Sequence, residues 1–191
     1  NLGCYGDGGA LFTNDSALFE KMTMIANHGQ KERYYHEMVG CNSRLDSIQA
    51  AILRIKLRNL DTYCDARRSA ADYYDRAFAS NEWIKTPSRS AYSRHVFHQY
   101  TLQLSDRINR DEIKKQLEER GIPSMIYYPV PCHKQKMFAD LGGGKFELPY
   151  TDYLTPRVLS LPIHTELTDA ELQFIAENVN ELVNQSASQI Q

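Results

Sequence analysis

Four groups of side chains carry types and spacings that suit chemistry. The first is Asn42-Ser43-Arg44. An asparagine amide can donate to an oxyanion, and an arginine holds a carboxylate or phosphate in its planar fork. If these residues open a helix, unpaired N–H groups and the positive end of the helix dipole add to the attraction for an anion. An ordinary cap with a solvated arginine accounts for the same residues. The second group is Tyr127-Tyr128-Pro129-Val130-Pro131, two phenols followed by a rigid extended exit. Phenols there could orient a sugar or a carboxylate, or simply pack in a core. The third is glycine: Gly3-x-x-Gly6-x-Gly8-Gly9 and Gly143-Gly144-Lys145. Neither is a phosphate-binding fingerprint, since no strand precedes the first and Phe146 stands where the second needs Ser or Thr; both read as tight turns. The last group is metal-ligand types. His95 and His98 fall on opposite faces of the expected strand, and Cys132-His133 has no distant partner, so no metal site is expected.

These residues need elements to hold them. Ala10–Thr13 reads as a short buried strand, and Ser16 as the cap of a helix carrying Leu18, Met22 and Ile25 that ends near His28-Gly29. Residues 30–41 are charged, rich in tyrosine and without periodicity, which predicts an ordered loop. From Asn42 to Thr86 there is no Gly or Pro, and Ile48, Ile52, Ile55, Leu60, Tyr63, Ala70, Tyr74 and Ala77 keep helical spacing. Asn42 and Ser43 are good caps and Asp46 completes an S-x-x-D box. The spacing thus predicts one helix of roughly 35 residues, about 50 Å long at ~1.5 Å per residue.

After Pro87 the period changes to two: Val96, His98, Tyr100, Leu102 and Leu104 alternate with Phe97, Gln99, Thr101 and Gln103, the mark of a half-buried strand. A charged helix over 109–120 closes at Gly121, a second strand covers 123–128, and a short helix falls near Lys134–Leu141. A glycine loop at 142–144, a helix near Thr151–Arg157 and an extended stretch Val158–Ile163 follow. Thr168-x-x-Glu171 is a capping box opening a helix with Leu172, Ile175, Val179 and Leu182 on one stripe, and the tail from Asn184 is expected to fray. The order gives a small α/β or α+β architecture.

Composition narrows the classes. With 42% hydrophobic and 24% charged residues in 191, the chain is neither disordered nor fibrous. Lys plus Arg is 22 against 24 Asp plus Glu, a net charge of -2, which lacks the basic surplus of a nucleic-acid binder. No apolar run approaches the roughly 18 residues of a membrane span, and no secretory leader opens the sequence. Cys4, Cys41, Cys64 and Cys132 are scattered without a C-x-x-C pair, as reduced thiols of a cytoplasmic protein would be.

Taken together, Asn1-Leu-Gly-Cys-Tyr-Gly-Asp-Gly-Gly9, Asn27-His-Gly-Gln30, Asn42-Ser-Arg-Leu-Asp46, Gln49-Ala-Ala51, Tyr127-Tyr-Pro-Val-Pro131 and Leu159-Ser-Leu-Pro162 resemble the second half of the DegT/DnrJ/EryC1/StrS nucleotide-sugar aminotransferases. Within that group the sequence is most similar in look to enzymes aminating a UDP-linked 3-keto-glucuronic acid in O-antigen biosynthesis. The resemblance implies an α/β protein of the type I, aspartate-aminotransferase-like fold, working as a homodimer with pyridoxal 5'-phosphate (PLP). It implies that residues 1–68 end the large cofactor domain and include the linking helix, and that 69–191 form the small domain. The lysine that anchors PLP as a Schiff base would stand immediately before Asn1, so none of the nine lysines present is nominated as catalytic. Asn42 would reach the PLP phosphate of the other subunit, Arg44 would face the sugar, and Tyr127 and Tyr128 would occupy the substrate-contact dipeptide, where relatives tend to have His-Tyr. His28 would lie near the nucleotide. The implied reaction is ping-pong amine transfer from L-glutamate to a keto-sugar nucleotide. Three other readings stay open: a PLP-dependent sugar dehydratase with histidine in place of the lysine, a non-catalytic regulatory or binding module, and a nucleic-acid role, which the charge balance disfavours.

Overall fold

The computed structural model describes residues 1–142 and 145–189; Gly143 and Gly144 of the expected glycine loop and turn motif, and the last two residues of the tail, lie outside the described residues. The chain divides into two compact units, Asn1–Asp61 and Thr62–Gln191.

In the first unit, α1 (Ser16–Ala26) starts one residue earlier than the sequence suggests: Asp15, not Ser16, is the cap, its carboxylate accepting from the Ala17 and Leu18 N–H groups at 2.9 and 3.0 Å. Residues 30–41 are not a plain loop. They contain an antiparallel pair, β1 (Gln30–Glu32) and β2 (Tyr35–His36), whose reversal uses Tyr34 at φ 72°. Periodicity could not announce strands of three and two residues. Ala10–Thr13 is not a strand: among the described residues the sheet of this unit is β1 with β2, which does not include it, and Phe12 is 92% exposed.

The long helix is also corrected. Residues 43–46 stay non-helical; α2 (Ser47–Lys56) has Asp46 as an N-cap in extended conformation (φ −64°, ψ 142°), so Asp46 occupies the cap itself and not the third helical position. One 3-10 turn, Leu57–Asn59, separates α2 from α3 (Leu60–Phe78).

The second unit carries a three-stranded antiparallel sheet in the order β3 (Ile84–Lys85), β4 (Tyr100–Leu104), β5 (Val158–Leu161). Period two holds in β4, where Tyr100, Leu102 and Leu104 are buried and Tyr100 pairs with Leu161, Leu102 with Leu159. The strand begins at Tyr100 and not at Val96. Phe97 has φ +40°, and the carbonyls of Phe97, His98 and Ile163 accept from the Arg67 guanidinium at 3.1, 3.3 and 2.9 Å, not from a neighbouring strand. Burial lowers the Arg67 pKa, against a smaller opposing pull from Cys64.

Three helices supply the rest of the core: α3 with Ala71, Tyr74 and Phe78, α4 (Arg110–Glu119) with Ile113 and Leu117, and α6 (Asp169–Ser188) with Leu172, Val179 and Val183. Asn109 caps α4, and Gly121, at φ +76°, ends it as expected. The capping box of α6 forms, Thr168 and Glu171 bonding reciprocally. Helix α6 does not fray at Asn184: Val183 is buried and Asn81 donates to the Asn184 side chain at 3.2 Å. The expected strand at 123–128 reduces to a single bridge, Met125 with Ser160, since Pro123 and Pro129 lack the N–H a ladder needs. The Lys134–Leu141 helix is two 3-10 turns, Cys132–Lys134 and Lys136–Phe138, and α5 (Pro149–Leu154) starts on its proline, ahead of the expected Thr151. Among the described residues no helix is long and apolar enough to cross a membrane, and the four cysteines are not joined by disulfides.

Candidate functional site

Asn42 is placed by backbone. The Cys41 N–H donates to Ile25 at 2.8 Å, the His28 N–H to Cys41 at 2.9 Å and the Ser43 N–H to Ala26 at 2.9 Å, so the segment is stitched to the end of α1. That stitching needs two glycines where the backbones cross: a Cβ on Gly29 would lie 1.7 Å from the Met38 carbonyl oxygen, and one on Gly40 2.1 Å from the Gly29 nitrogen. Gly29 also sits at φ +74°.

Asn42 therefore stands ahead of the helix and not at its N-terminus. The dipole contribution expected from the sequence is absent at this position, and the side chains themselves must supply the attraction for an anion. They are arranged for it. The Asn42 Oδ1 accepts from the Arg44 Nε at 2.8 Å, which orients the guanidinium and leaves the Asn42 amide N–H groups to donate outward. Both residues are exposed and line a recess of about 440 Å³ with Ser43, Asp7, Gly8 and Gly9.

The glycine loop on the other wall of that recess is fixed by two residues the sequence reading did not nominate. Gln49 clasps the Tyr5 backbone, accepting from its N–H at 2.8 Å and donating to its carbonyl at 2.6 Å. Lys56 donates to the Gly3 carbonyl at 2.5 Å and lies 5.6 Å from the Tyr5 ring centre. Gln49 and Lys56 are seven residues apart on α2, two helical turns, and that polar pair on one face was the available signal. Gly8 is needed by space, since a Cβ there would meet the Cys4 sulfur at 2.8 Å.

Tyr127 and Tyr128 lie in the second unit, joined by a cis peptide, with ring centres 5.7 Å apart and nearly edge-on. They are 37% and 66% exposed, so they are not core aromatics. They line a cavity of about 510 Å³ with Val130, His133, Leu148 and Thr151. Tyr127 also borders a smaller recess of about 250 Å³ that His98 lines. The exposed His98 is thus a pocket-edge residue.

His28 lines neither the Asn42 recess nor the tyrosine cavity. It is exposed at φ 60° and its carbonyl meets the His36 Nδ1 at 2.9 Å, so its visible role is to turn the chain. Asn42 and Arg44 are brought together, as are Tyr127 and Tyr128. Among the described residues no cluster of three or more His, Cys, Asp or Glu could hold a metal ion, and the His95 Nδ1 accepts from the Phe97 N–H at 3.0 Å.

Comparison with known proteins identifies the family of the chain. Residues 1–180 match the DegT/DnrJ/EryC1/StrS aminotransferase family. The chain is 43% identical over 183 residues to a pleiotropic regulatory protein of Geobacillus stearothermophilus, covering 95% of this chain and 48% of that one. It is 41% identical over 174 residues to the UDP-2-acetamido-2-deoxy-3-oxo-D-glucuronate aminotransferase of Pseudomonas aeruginosa, covering 91% and 46%. The solved structure of S. venezuelae DesV in complex with a ketimine intermediate superposes with a TM-score of 0.87 at 36% identity, over 95% of this chain and 48% of that one. The chain thus spans about half the length of the relatives it matches. On this agreement of sequence and fold, the chain belongs to the DegT/DnrJ/EryC1/StrS aminotransferase family and has the mixed α/β architecture of its type I fold.

Proposed function

We propose that the full-length protein is a PLP-dependent aminotransferase that moves an amino group from L-glutamate to a keto-sugar nucleotide. The observation that carries this reading is the Asn42–Arg44 pair, hydrogen-bonded at 2.8 Å beside Gly8 and Gly9 in a polar recess. The recess fits the phosphate of the coenzyme: the Asn42 amide and the Ser43 hydroxyl are donors, the Arg44 guanidinium beside them adds positive charge, and Gly9 has open space where a side chain would stand, with the Asp7 carboxylate the one opposing charge. PLP, when bound, supplies an electron sink that lets nitrogen be exchanged between an amine and a ketone. The residues of this chain bind and orient: Asn42 donates to the phosphate, Arg44 to the sugar or its carboxylate, and the Tyr127 and Tyr128 hydroxyls to the sugar nucleotide. The anchoring lysine is assigned to the position before Asn1.

The substrate we assign is a UDP-linked 3-keto sugar, and the fork of Arg44 favours a carboxylated one of the kind named for the Pseudomonas aeruginosa relative. That assigns the protein to bacterial cell-surface polysaccharide biosynthesis such as O-antigen assembly, in the cytoplasm. A homodimer with shared sites is supported by exposed apolar side chains of the first unit, Leu11, Phe12 and Val39. In this reading residues 1–68 close the cofactor domain and 69–191 form the small domain.

The test is to supply full-length protein with PLP, L-glutamate and a UDP-linked 3-keto-glucuronate, and to follow products by mass. An amino sugar formed together with 2-oxoglutarate is expected. Loss of water from the sugar without nitrogen gain would replace this reading with the dehydratase, and no turnover of any keto-sugar nucleotide would favour the regulatory module suggested by the name of the Geobacillus relative.

A further inference from the structure

The segment carrying Tyr127 and Tyr128 is bracketed by two attachments within its own unit. At its start, Met125 and Ser160 exchange backbone hydrogen bonds of 3.0 and 2.8 Å. At its exit, past Pro131, the turn Cys132–Lys134 meets α5, where the Asp152 carboxylate holds the Lys134 ammonium at 2.6 Å. The same carboxylate oxygen is buried, meets Lys134 as an ion pair outside hydrogen-bond geometry, and lies 3.9 Å from the Nε2 of His133, whose side chain is only 9% exposed and whose Nε2 likewise has no hydrogen-bond partner. Between the attachments the segment stands off α5 across the cavity of about 510 Å³. A loop that borders open space, not packed side chains, keeps its place by its ends.

We infer that Asp152 is a positioning residue for sugar-nucleotide binding: it fixes the exit of segment 127–131 and so the fraction of molecules whose two phenols are set for substrate. The inference rests on the assignment of Tyr127 and Tyr128 to the substrate. Its physical form is simple. If the bound arrangement is one of several open to the loop, apparent affinity falls in proportion to the population of that arrangement. Asp152 and Lys134 are 38% and 48% exposed, so solvent screens the pair, and a clamp of that kind changes the population by at most about fivefold.

The experiment compares full-length wild type with Asp152→Ala, Lys134→Ala and the double variant, using a UDP-linked 3-keto sugar. KM is measured with glutamate present, and Kd by calorimetry without it. Each single variant is expected to raise both KM and Kd about fivefold with kcat within twofold of wild type, and the double variant to lose no more than either single one, because both break the same clamp. Asp152→Glu, which keeps the charge, is expected to recover at least half of the loss. Unchanged KM and Kd in the single variants, losses that multiply in the double, or a fall confined to kcat would overturn the inference while wild-type amine transfer stands. A wild type that binds no sugar nucleotide overturns the substrate assignment and the inference with it.

Discussion

The two units of the chain use their apolar residues in opposite ways. The contiguous buried cluster lies wholly in the second unit, from Ala70 to Val183, whereas in the first Met24, 8% exposed, is the only buried hydrophobic side chain among the described residues. The second unit satisfies its own pattern: every second residue of β4 is buried, and the stripe of α6 meets it. The first unit sets Phe12, Val39 and Ile48 outward and is held by backbone hydrogen bonds, glycine crossings and the Gln49 and Lys56 clasps. Patterning that closes on itself builds a core, and patterning that does not is directed at a surface still to be covered.

That contrast can be broken most severely in the sheet. Leu102 is 0% exposed, and Leu102→Ala should cost about 2–5 kcal/mol in denaturant unfolding. Phe12→Ala should stay within about 0.5 kcal/mol in the isolated chain. A large loss at Phe12 would mean that the first unit hides a core of its own. Next in size is Gly40→Ala, which forces the crossing with Gly29 apart; about 1–3 kcal/mol is expected, read as faster hydrogen exchange at Cys41 and Ser43 with β4 and β5 unaffected. The smallest effect concerns pH. Hydrogen bonds from the Thr168 N–H and hydroxyl hold the Glu171 carboxyl below its usual value, so this cap contributes stability above the unfolded-state pKa and loses it as pH falls through the folded one. Below about pH 4.5, the ordinary glutamate value, melting temperatures of wild type and Glu171→Gln should converge, with wild type higher at neutral pH.

Much of the second unit was legible in the sequence because its signals are local and long enough to read. The alternation through Tyr100, Leu102 and Leu104, the capping box at Thr168 and Glu171, and Gly121 after α4 each act within a few residues. What was not legible depended on groups distant in sequence. Arg67 takes the carbonyls that would have extended β4 back to Val96, thirty residues away, and no periodicity reports that. The start of α2 was misplaced because Asn42, Ser43 and Asp46 are all good caps, and the choice between them is made by the bonds tying residues 41 and 43 to α1. The sequence predicts that Asn42 and Arg44 meet at a helix terminus; both line the recess, but they are joined by their mutual hydrogen bond and stand ahead of α2.

The central claim, that this recess grips the coenzyme phosphate, is tested most directly by the affinity of full-length protein for PLP. Equilibrium dialysis should show Asn42→Ala binding PLP about tenfold more weakly than wild type, the loss expected for one hydrogen bond to a charged group, with Arg44→Ala affecting the sugar nucleotide more than the coenzyme. Equal PLP affinity in wild type and Asn42→Ala would contradict the account.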